Sequence, residues 1–280
     1  MYLSGKYVHM ICFPNAKINL GLNIVSKRPD GYHNLETVFY PIDLKDALEI
    51  RPCSMDQPYR FHQLGIPISG DPDKNLVIKA YNLFAELINI PPIEIRLLKT
   101  IPFGAGLGGG SSDAAFMLSL LNKTFLSDFS IDELAAMATK IGADCPFFLY
   151  NKPAFATGIG DELEIIELDL DSYYFVLVKP DFSVPTKDAY SMITPSKPDI
   201  SLKEIVKRPI SEWKTLMKND FEIPVFKKYP EIQKIKQQLY DYGALYTSMS
   251  GSGSSVYAFF KDPVKVSFPN NYFVWTNMEL

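Results

Sequence analysis

The stretch IPFGAGLGGGSSDAA, residues 101–115, packs five glycines and two serines between a strand-like run, IEIRLLK (93–99), and a helical pattern. Glycine loses more conformational freedom on folding than any other residue, so a cluster of glycines is kept where backbone must come close to something. A strand, a glycine loop and a helix in immediate succession form an anion cradle: freed N–H groups converge and the helix dipole points its positive end at the ligand. Three phosphate-loop chemistries fit that outline. A Walker A loop needs Gly-Lys-Ser/Thr at its end, and no lysine lies between Lys99 and Lys123. A dinucleotide fingerprint needs a third glycine where Gly106-Leu107-Gly108-Gly109-Gly110-Ser111 places a serine, and Pro102 interrupts the strand-to-turn entry. The remaining reading needs no lysine; backbone N–H groups hold the anion, with Ser111 and Ser112 adding hydroxyl donors or a metal ligand.

The surrounding pattern is mixed α+β without regular strand–helix alternation. CFPNAKINLGLNIV reads as a strand with Ile18, Leu20, Leu22 and Ile24 on one face, and Pro29-Asp30-Gly31 turns the chain. LETVFYPI and DALEIRP read as two further strands. Asn75 or Asp73 caps a helix whose apolar face carries Leu76, Val77, Ala80, Leu83, Phe84 and Leu87. Ser112-Asp113 opens a second helix, and Ser130 with Glu133 forms a capping box for a third that stops near Gly142. AFATGIGDELEIIEL and YYFVLVKP are read as strands, residues 186–220 as helical, and YPEIQKIKQQLYDYG as a helix ended by Gly243. ALYTSMSGSGSSVYAFF holds two apolar runs around a second small-residue cluster. Composition shifts near 151–170, and the expected domains are 1–160 and 161–280.

The net charge of −4 lacks the basic face that sequence-independent nucleic-acid binding requires, so the expected partner is a small molecule. Cys12, Cys53 and Cys145 are odd in number and lack CxxC spacing, which excludes a disulfide framework and a zinc site. Lys6 and His9 interrupt the N-terminal apolar stretch, so a signal peptide is not expected. No run reaches the roughly 18 apolar residues of a membrane span. The expectation is a cytoplasmic protein, a monomer or weak homodimer, with no membrane partner.

PFGAGLGGGSSDAA resembles the central motif of the GHMP kinase superfamily, which includes galactokinase, homoserine kinase, mevalonate kinase and phosphomevalonate kinase. NAKINLGLNIVSKRPDGYHNLETVF, IGADCPFFL and SMSGSGSSVYAFF resemble one branch of it, which phosphorylates a cytidine diphosphate-linked methylerythritol in non-mevalonate isoprenoid synthesis. The resemblance implies a two-domain fold, an N-terminal domain like part of ribosomal protein S5 and a ferredoxin-like C-terminal domain. It also implies ATP and Mg²⁺ as cofactors. Homoserine or mevalonate kinase activity and a non-catalytic nucleotide sensor are the alternatives.

Asp144 follows a helix stop in GADCPFF; from the residues alone it is a turn aspartate or an acid–base group, and the resemblance makes it the catalytic base. Lys17 sits in an apolar strand, an expensive place for an ammonium unless it snorkels, is paired or is used. The resemblance places the matching lysine beside the catalytic aspartate and the acceptor hydroxyl. Asn19 shares its strand face and is a candidate substrate ligand. The family usually reads Pro-Ala-Lys where this chain has Pro14-Asn15-Ala16-Lys17, an extra residue that a bulge would absorb. By resemblance, Pro102, Gly104, Gly106, Leu107, Gly108, Gly109, Gly110, Ser111 and Ser112 bind the nucleotide. Gly251 and Gly253 close on its phosphates, although a plain hairpin turn would also explain them. Asn75 fits either an N-cap or the nucleotide pocket. Tyr32 and His33 are either a core aromatic and a turn residue, or the groups that recognise cytosine. The acidic Mg²⁺ ligand is unassigned.

Overall fold

The computed structural model describes residues 10–67 and 74–278. Lys6, His9 and Asp73 lie outside them. The chain folds as two compact units that interleave in sequence. The first draws on residues 10–16, 45–67, 74–101 and 109–151, and the second on 17–44, 102–108 and 152–278.

In the first unit, β1 (Met10–Cys12), β4 (Ala47–Pro52), β6 (Ile93–Lys99) and β5 (Tyr59–Gly65) form one sheet in that order. β4 pairs antiparallel with β1 and β6, whereas β5 runs parallel to β6. Helices α1 (Leu76–Ala85), α2 (Gly109–Phe125), α3 (Ile131–Thr139) and α4 (Cys145–Tyr150) complete the unit. Its core joins Leu48, Ile50, Ile93, Ile95 and Leu97 of the sheet to Val77, Phe84, Leu118 and Leu121 of the helices. The expected start of α1 holds, because the Asn75 side chain accepts the Val77 N–H at 2.9 Å. Its end does not. α1 stops at Ala85, so Leu87 falls past the apolar face and is 54% exposed, while Ile78 and Tyr81 are buried instead. The Ser130–Glu133 capping box forms as its spacing predicts.

α2 begins at Gly109, three residues before the expected opening at Ser112. Gly109 has helical backbone, and a Cβ there would lie 2.8 Å from the Ile101 side chain. The last two glycines therefore belong to the helix and not to the loop.

In the second unit, β2 (Asn15–Lys27, within this unit from Lys17), β3 (His33–Lys45), β7 (Ala154–Thr157) and β8 (Glu162–Ile165) form one sheet. β10 (Tyr246–Met249), β11 (Val256–Phe260), β9 (Tyr174–Lys179) and β12 (Phe273–Thr276) form a second, wholly antiparallel one. Helices α5 (Thr186–Ser191), α6 (Leu202–Ile205), α7 (Ile210–Leu216), α8 (Glu222–Lys228) and α9 (Pro230–Asp241) belong to this unit. Ile232, Ile235 and Leu239 of α9 bury one stripe in a core with Val176, Val178, Val256 and Ala258. Gly243, with φ +96°, follows the end of α9. Cys12, Cys53 and Cys145 are free thiols.

Candidate active site

In the second unit the site is organised around Lys17. The residue is only 4% exposed. Its Nζ donates to Asn19 Oδ1 at 2.7 Å and to the Gly106 carbonyl at 3.4 Å, and it lies 4.8 Å from the centroid of the Phe39 ring. Its backbone N–H donates to the Leu107 carbonyl. The loop 102–108 is thus tied to the strand that carries Lys17. Asn19 is itself held from two sides: its Nδ2 donates to Thr37 Oγ1 at 3.0 Å, and its carbonyl accepts the Tyr257 hydroxyl at 2.8 Å. Burial keeps the Tyr257 hydroxyl protonated, its pKa pushed well up. An ammonium with a carbonyl, an amide oxygen and an aromatic face around it is a paired cation, not a snorkelling one.

Gly104, Gly106 and Gly108 have φ values of +61°, +74° and +68°. Left-handed geometry at every second residue is the alternation from which backbone anion nests are built. Gly106 is also fixed by the chain itself, since a Cβ there would run into the Ser250 carbonyl oxygen. The second small-residue cluster meets this loop directly. Ser250 Oγ donates to the Gly106 carbonyl at 2.8 Å and accepts the Asn19 N–H at 3.2 Å. Ser255 N–H donates to the Ala105 carbonyl. Gly251 and Gly253 both have positive φ, and a Cβ on Gly251 would stand 3.3 Å from Asn19 Oδ1. Lys17, Asn19, Gly106, Leu107 and Gly251 are therefore brought together, with Thr37, Tyr257 and the Ser250 hydroxyl as partners that the sequence motifs did not single out.

Tyr32 and His33 follow the turn at Pro29-Asp30-Gly31. Asp30 Oδ1 accepts the Tyr32 N–H at 3.0 Å, and Asp30 pairs with Arg28 at 2.9 Å. The Tyr32 side chain is 61% exposed, so it is not a core aromatic. The His33 ring stacks on Tyr190 with centroids 5.2 Å apart and 25° between planes. An exposed aromatic beside a stacked imidazole can present flat faces and ring nitrogens to a base.

In the first unit, the N-terminal turn of α2 leaves N–H groups without intrahelical partners. Gly110 has room around it: among the described residues a Cβ there would find only Leu76 Cδ1, at 3.6 Å. The Ser112 hydroxyl is buried and has no hydrogen-bond partner among the described residues. Glycine space, free N–H groups and an orphaned hydroxyl at one helix end fit a bound phosphate and one ligand of its metal. Among the described residues no group of three or more His, Cys, Asp and Glu side chains is placed to hold a metal by itself. Asp144 occupies the N-cap position of α4 in αR conformation, and its carboxylate makes no capping hydrogen bond. Pro146 holds the first turn of that helix, and Cys145, Phe147 and Phe148 are buried behind it. Burial pushes the Cys145 thiol up to about 12, with Ser111 opposing the rise and Asp144 adding to it.

Beneath Gly109 lies a buried ionic cluster absent from the sequence reading. Lys99 Nζ binds Asp46 Oδ2 and, at 2.7 Å, Asp113 Oδ2, and all three side chains are at most 3% exposed. Asp46 Oδ1 accepts the N–H groups of Thr100 and Ile101. Burial raises the Asp113 carboxyl to about 8, Lys99 opposing the rise. The signal for it was an aspartate among Ala114, Ala115 and Leu118, on a helix face that is otherwise apolar.

The family model for the GHMP kinases N terminal domain matches residues 75–152, and that for the GHMP kinases C terminal domain matches 201–268. A 4-diphosphocytidyl-2-C-methyl-D-erythritol kinase of Parabacteroides distasonis is 58% identical over 273 residues, which cover 95% of this chain and 98% of that protein. The chain belongs to the 4-diphosphocytidyl-2-C-methyl-D-erythritol kinase family of GHMP kinases. A Bacteroides fragilis protein of the same name is also 58% identical, over 92% of this chain and 94% of its own. A crystal structure described as 4-(cytidine 5'-diphospho)-2C-methyl-D-erythritol kinase superposes with a TM-score of 0.78 at 34% identity, covering 91% of each chain. Homoserine kinase from Cytophaga hutchinsonii, at 18% identity and a TM-score of 0.69 over 99% of this chain and 96% of its own, shares the fold. Both the expected α+β class and the GHMP kinase fold are borne out. This kinase has, among the described residues, no helix long and apolar enough to cross a membrane.

Proposed function

We propose that this kinase transfers the γ-phosphoryl group of ATP to the 2-hydroxyl of 4-diphosphocytidyl-2-C-methyl-D-erythritol, in the non-mevalonate route to isoprenoid precursors. The observation that carries the reading is the 58% identity over 98% of the length of a relative bearing that name. Homoserine and mevalonate kinases match at 14–18% identity, a likeness of fold that favours neither alternative. A nucleotide sensor has no need of a base, and Lys17 and Asp144 both stand in their family motifs.

In this reading Asp144 accepts the proton of the 2-hydroxyl as its oxygen forms the new bond to phosphorus and the bond to ADP breaks. Lys17 contributes the cation that favours the ionised acceptor, held by Asn19 and the Gly106 carbonyl. Asn19 orients the acceptor. The nest at Gly104–Gly108 and the first turn of α2 at Gly109–Ser112 hold phosphate oxygens. Gly251 and Gly253 close on the same phosphates, Pro102 and Leu107 shape the loop, and Asn75 contributes to the nucleotide pocket while capping α1. Ser112 would be one ligand of the Mg²⁺ that would accompany ATP, and the chemistry such an ion would supply is neutralisation of phosphate charge. Tyr32 and His33 recognise cytosine. Along the sequence the family's N- and C-terminal domains divide at residue 160, a boundary drawn separately from the two interleaved compact units, and the enzyme works in the cytoplasm as a monomer or weak homodimer without nucleic-acid partners.

The test is a coupled assay of ADP release with the cytidine conjugate, homoserine and mevalonate supplied in parallel. The conjugate should turn over far faster than either other alcohol, and ³¹P NMR should show one new phosphomonoester. Turnover of homoserine or mevalonate in its place overturns the assignment.

A further inference from the structure

The segment Asn219-Asp220-Phe221-Glu222 leads from α7 into α8 and belongs to none of the motifs above. Each of its four side chains is nevertheless spent on another element of the second unit. Asn219 is 3% exposed, and its Nδ2 donates to the carbonyls of Met249 and Gly251, both at 2.8 Å, while its Oδ1 accepts the Phe221 N–H at 3.0 Å. Asp220 Oδ2 accepts the Ile24 N–H of β2 at 2.7 Å. The Phe221 ring meets Tyr190 edge-on, with centroids 4.9 Å apart, and Tyr190 is the ring stacked on His33. Glu222 Oε1 accepts the Met249 N–H at 2.9 Å and the Ser248 hydroxyl at 3.1 Å, while its Oε2 pairs with Lys236. The backbone joins in as well: Leu22 N–H donates to the Lys218 carbonyl, and Asp220 N–H to the Leu22 carbonyl.

The two carbonyls that Asn219 takes lie on either side of Ser250. One planar amide bonded to both fixes the reversal of the chain at Ser250, and with it the direction of the Ser250 hydroxyl. That hydroxyl accepts from the Asn19 N–H and donates to the Gly106 carbonyl, and both Asn19 and Gly106 receive the Lys17 ammonium. Every link is a hydrogen bond between buried or part-buried groups, where an unmatched partner is costly and geometry is tightly set. We propose that Asn219–Glu222 is a positioning element, in which Asn219, seconded by Glu222, holds the Ser250–Gly253 turn and through it sets the Gly106 carbonyl and the Lys17 ammonium for phosphoryl transfer. The inference rests on the function proposed above. Asn219 touches neither the acceptor nor the nucleotide in this scheme; it acts through Ser250.

The test uses the full chain with Asn219→Ala, Asn219→Asp and a core control, Ile232→Val, on α9 in the second-unit core. Asn219→Asp keeps an acceptor for the Phe221 N–H but sets a carboxylate oxygen against two carbonyls, and it serves if the alanine variant does not fold. Both Asn219 variants should raise KM for ATP and lower kcat by about tenfold each, with KM for the cytidine substrate near the wild-type value. Ile232→Val should keep wild-type kinetics. Amide hydrogen exchange reads the turn independently of activity. The N–H groups of Ser250, Gly253 and Ser255 should exchange faster in the Asn219 variants, while those of β9 and β11 keep their protection. Unchanged exchange at those three amides overturns the inference, as does an Asn219 variant with the kinetics of Ile232→Val. A wild type that consumes no ATP with the cytidine substrate overturns the proposed function and the catalytic half of this inference, and the exchange result still decides whether Asn219 holds the turn.

Discussion

Gly110→Ala separates what the glycine cluster does for the fold from what it does for a ligand. A Cβ at Gly106 would meet the Ser250 carbonyl, and one at Gly109 would press on Ile101 and approach Lys99 Nζ at 3.3 Å. Both glycines are therefore needed by the chain itself. Gly110 is different. It lies in the first turn of α2, its φ is not positive, and among the described residues the one atom near an added Cβ is Leu76 Cδ1 at 3.6 Å, an ordinary contact. Alanine for glycine inside a helix is worth about 0.5–1 kcal/mol, part of it through the unfolded chain. At about 2.1 cal/mol/K per residue of unfolding entropy, that gain raises the melting temperature of a chain of this length by about 1–2 °C. The same methyl group should stand in the space of a phosphate oxygen, and overfilling a close contact costs about 1–3 kcal/mol, or about 5- to 150-fold in affinity. The variant should thus melt slightly higher without nucleotide, gain less from added ATP, and show a raised KM for ATP. Differential scanning calorimetry with and without ATP, beside steady-state kinetics, measures all three. An unchanged KM for ATP in a stabilised protein refutes the argument that Gly110 leaves room for phosphate.

Asp144→Asn should lower kcat by about 10²–10⁴ with ATP affinity kept, measured by turnover and calorimetry together; a loss below about tenfold leaves Asp144 no role as base. Tyr32→Ala should raise KM for the cytidine substrate by about 5- to 150-fold, with kcat falling much less and KM for ATP unmoved. Equal efficiency on unconjugated methylerythritol would show that the base contributes nothing. Burial holds the Asp113 carboxyl at about 8, above its unfolded value of 3.8, so its contribution to stability is complete below about pH 4 and is lost as pH rises through about 8. Melting curves of Asp113→Asn should accordingly lose less stability than the wild type between those limits. Parallel pH profiles would remove Asp113 as the cause.

Local chemistry was legible in the sequence wherever one residue does the work at its own position. The Ser130–Glu133 box and the Asn75 cap are pairings across two or three residues, and both form where the residues predict. β6 reads correctly over Ile93–Lys99 because its apolar run is bounded by Pro92 and the glycine loop. Elements defined by distant partners were not legible. β5 is half-exposed, carries Arg60, His62 and Gln63, and is a strand by virtue of its parallel ladder with β6. α4 and α8, of six and seven residues, are too short to show a helical period, and each holds a proline in its first turns. Leu87 fits the apolar stripe of α1, yet the helix ends two residues before it and its side chain stays in solvent.

For the site, the motifs marked which residues to watch, and the structure supplies reasons that the motifs do not contain. Lys17 looked expensive because its strand neighbours are apolar. Its cost is offset by Asn19 two residues on, which the alternation of a strand brings to the same face, and by the Gly106 carbonyl, which no sequence rule could place there. The glycine cluster divides in the same way. Gly104, Gly106 and Gly108 need left-handed backbone, Gly109 needs the absence of a Cβ against Ile101, and Gly110 needs neither. A run of glycines that resembles one motif is thus held by three separate requirements. The third, at Gly110, is met by nothing among the described residues, and so points outward to a ligand. Ser250 shows the converse: as a letter in a small-residue cluster it resembles any turn serine, yet its hydroxyl joins the Asn19 N–H to the Gly106 carbonyl, groups 231 and 144 residues away from it in sequence. Motif matching finds residues that contact the substrate or share a short stretch with those that do. The groups that hold them in register, Asn219 and Glu222 foremost, become visible when their hydrogen bonds are traced one by one.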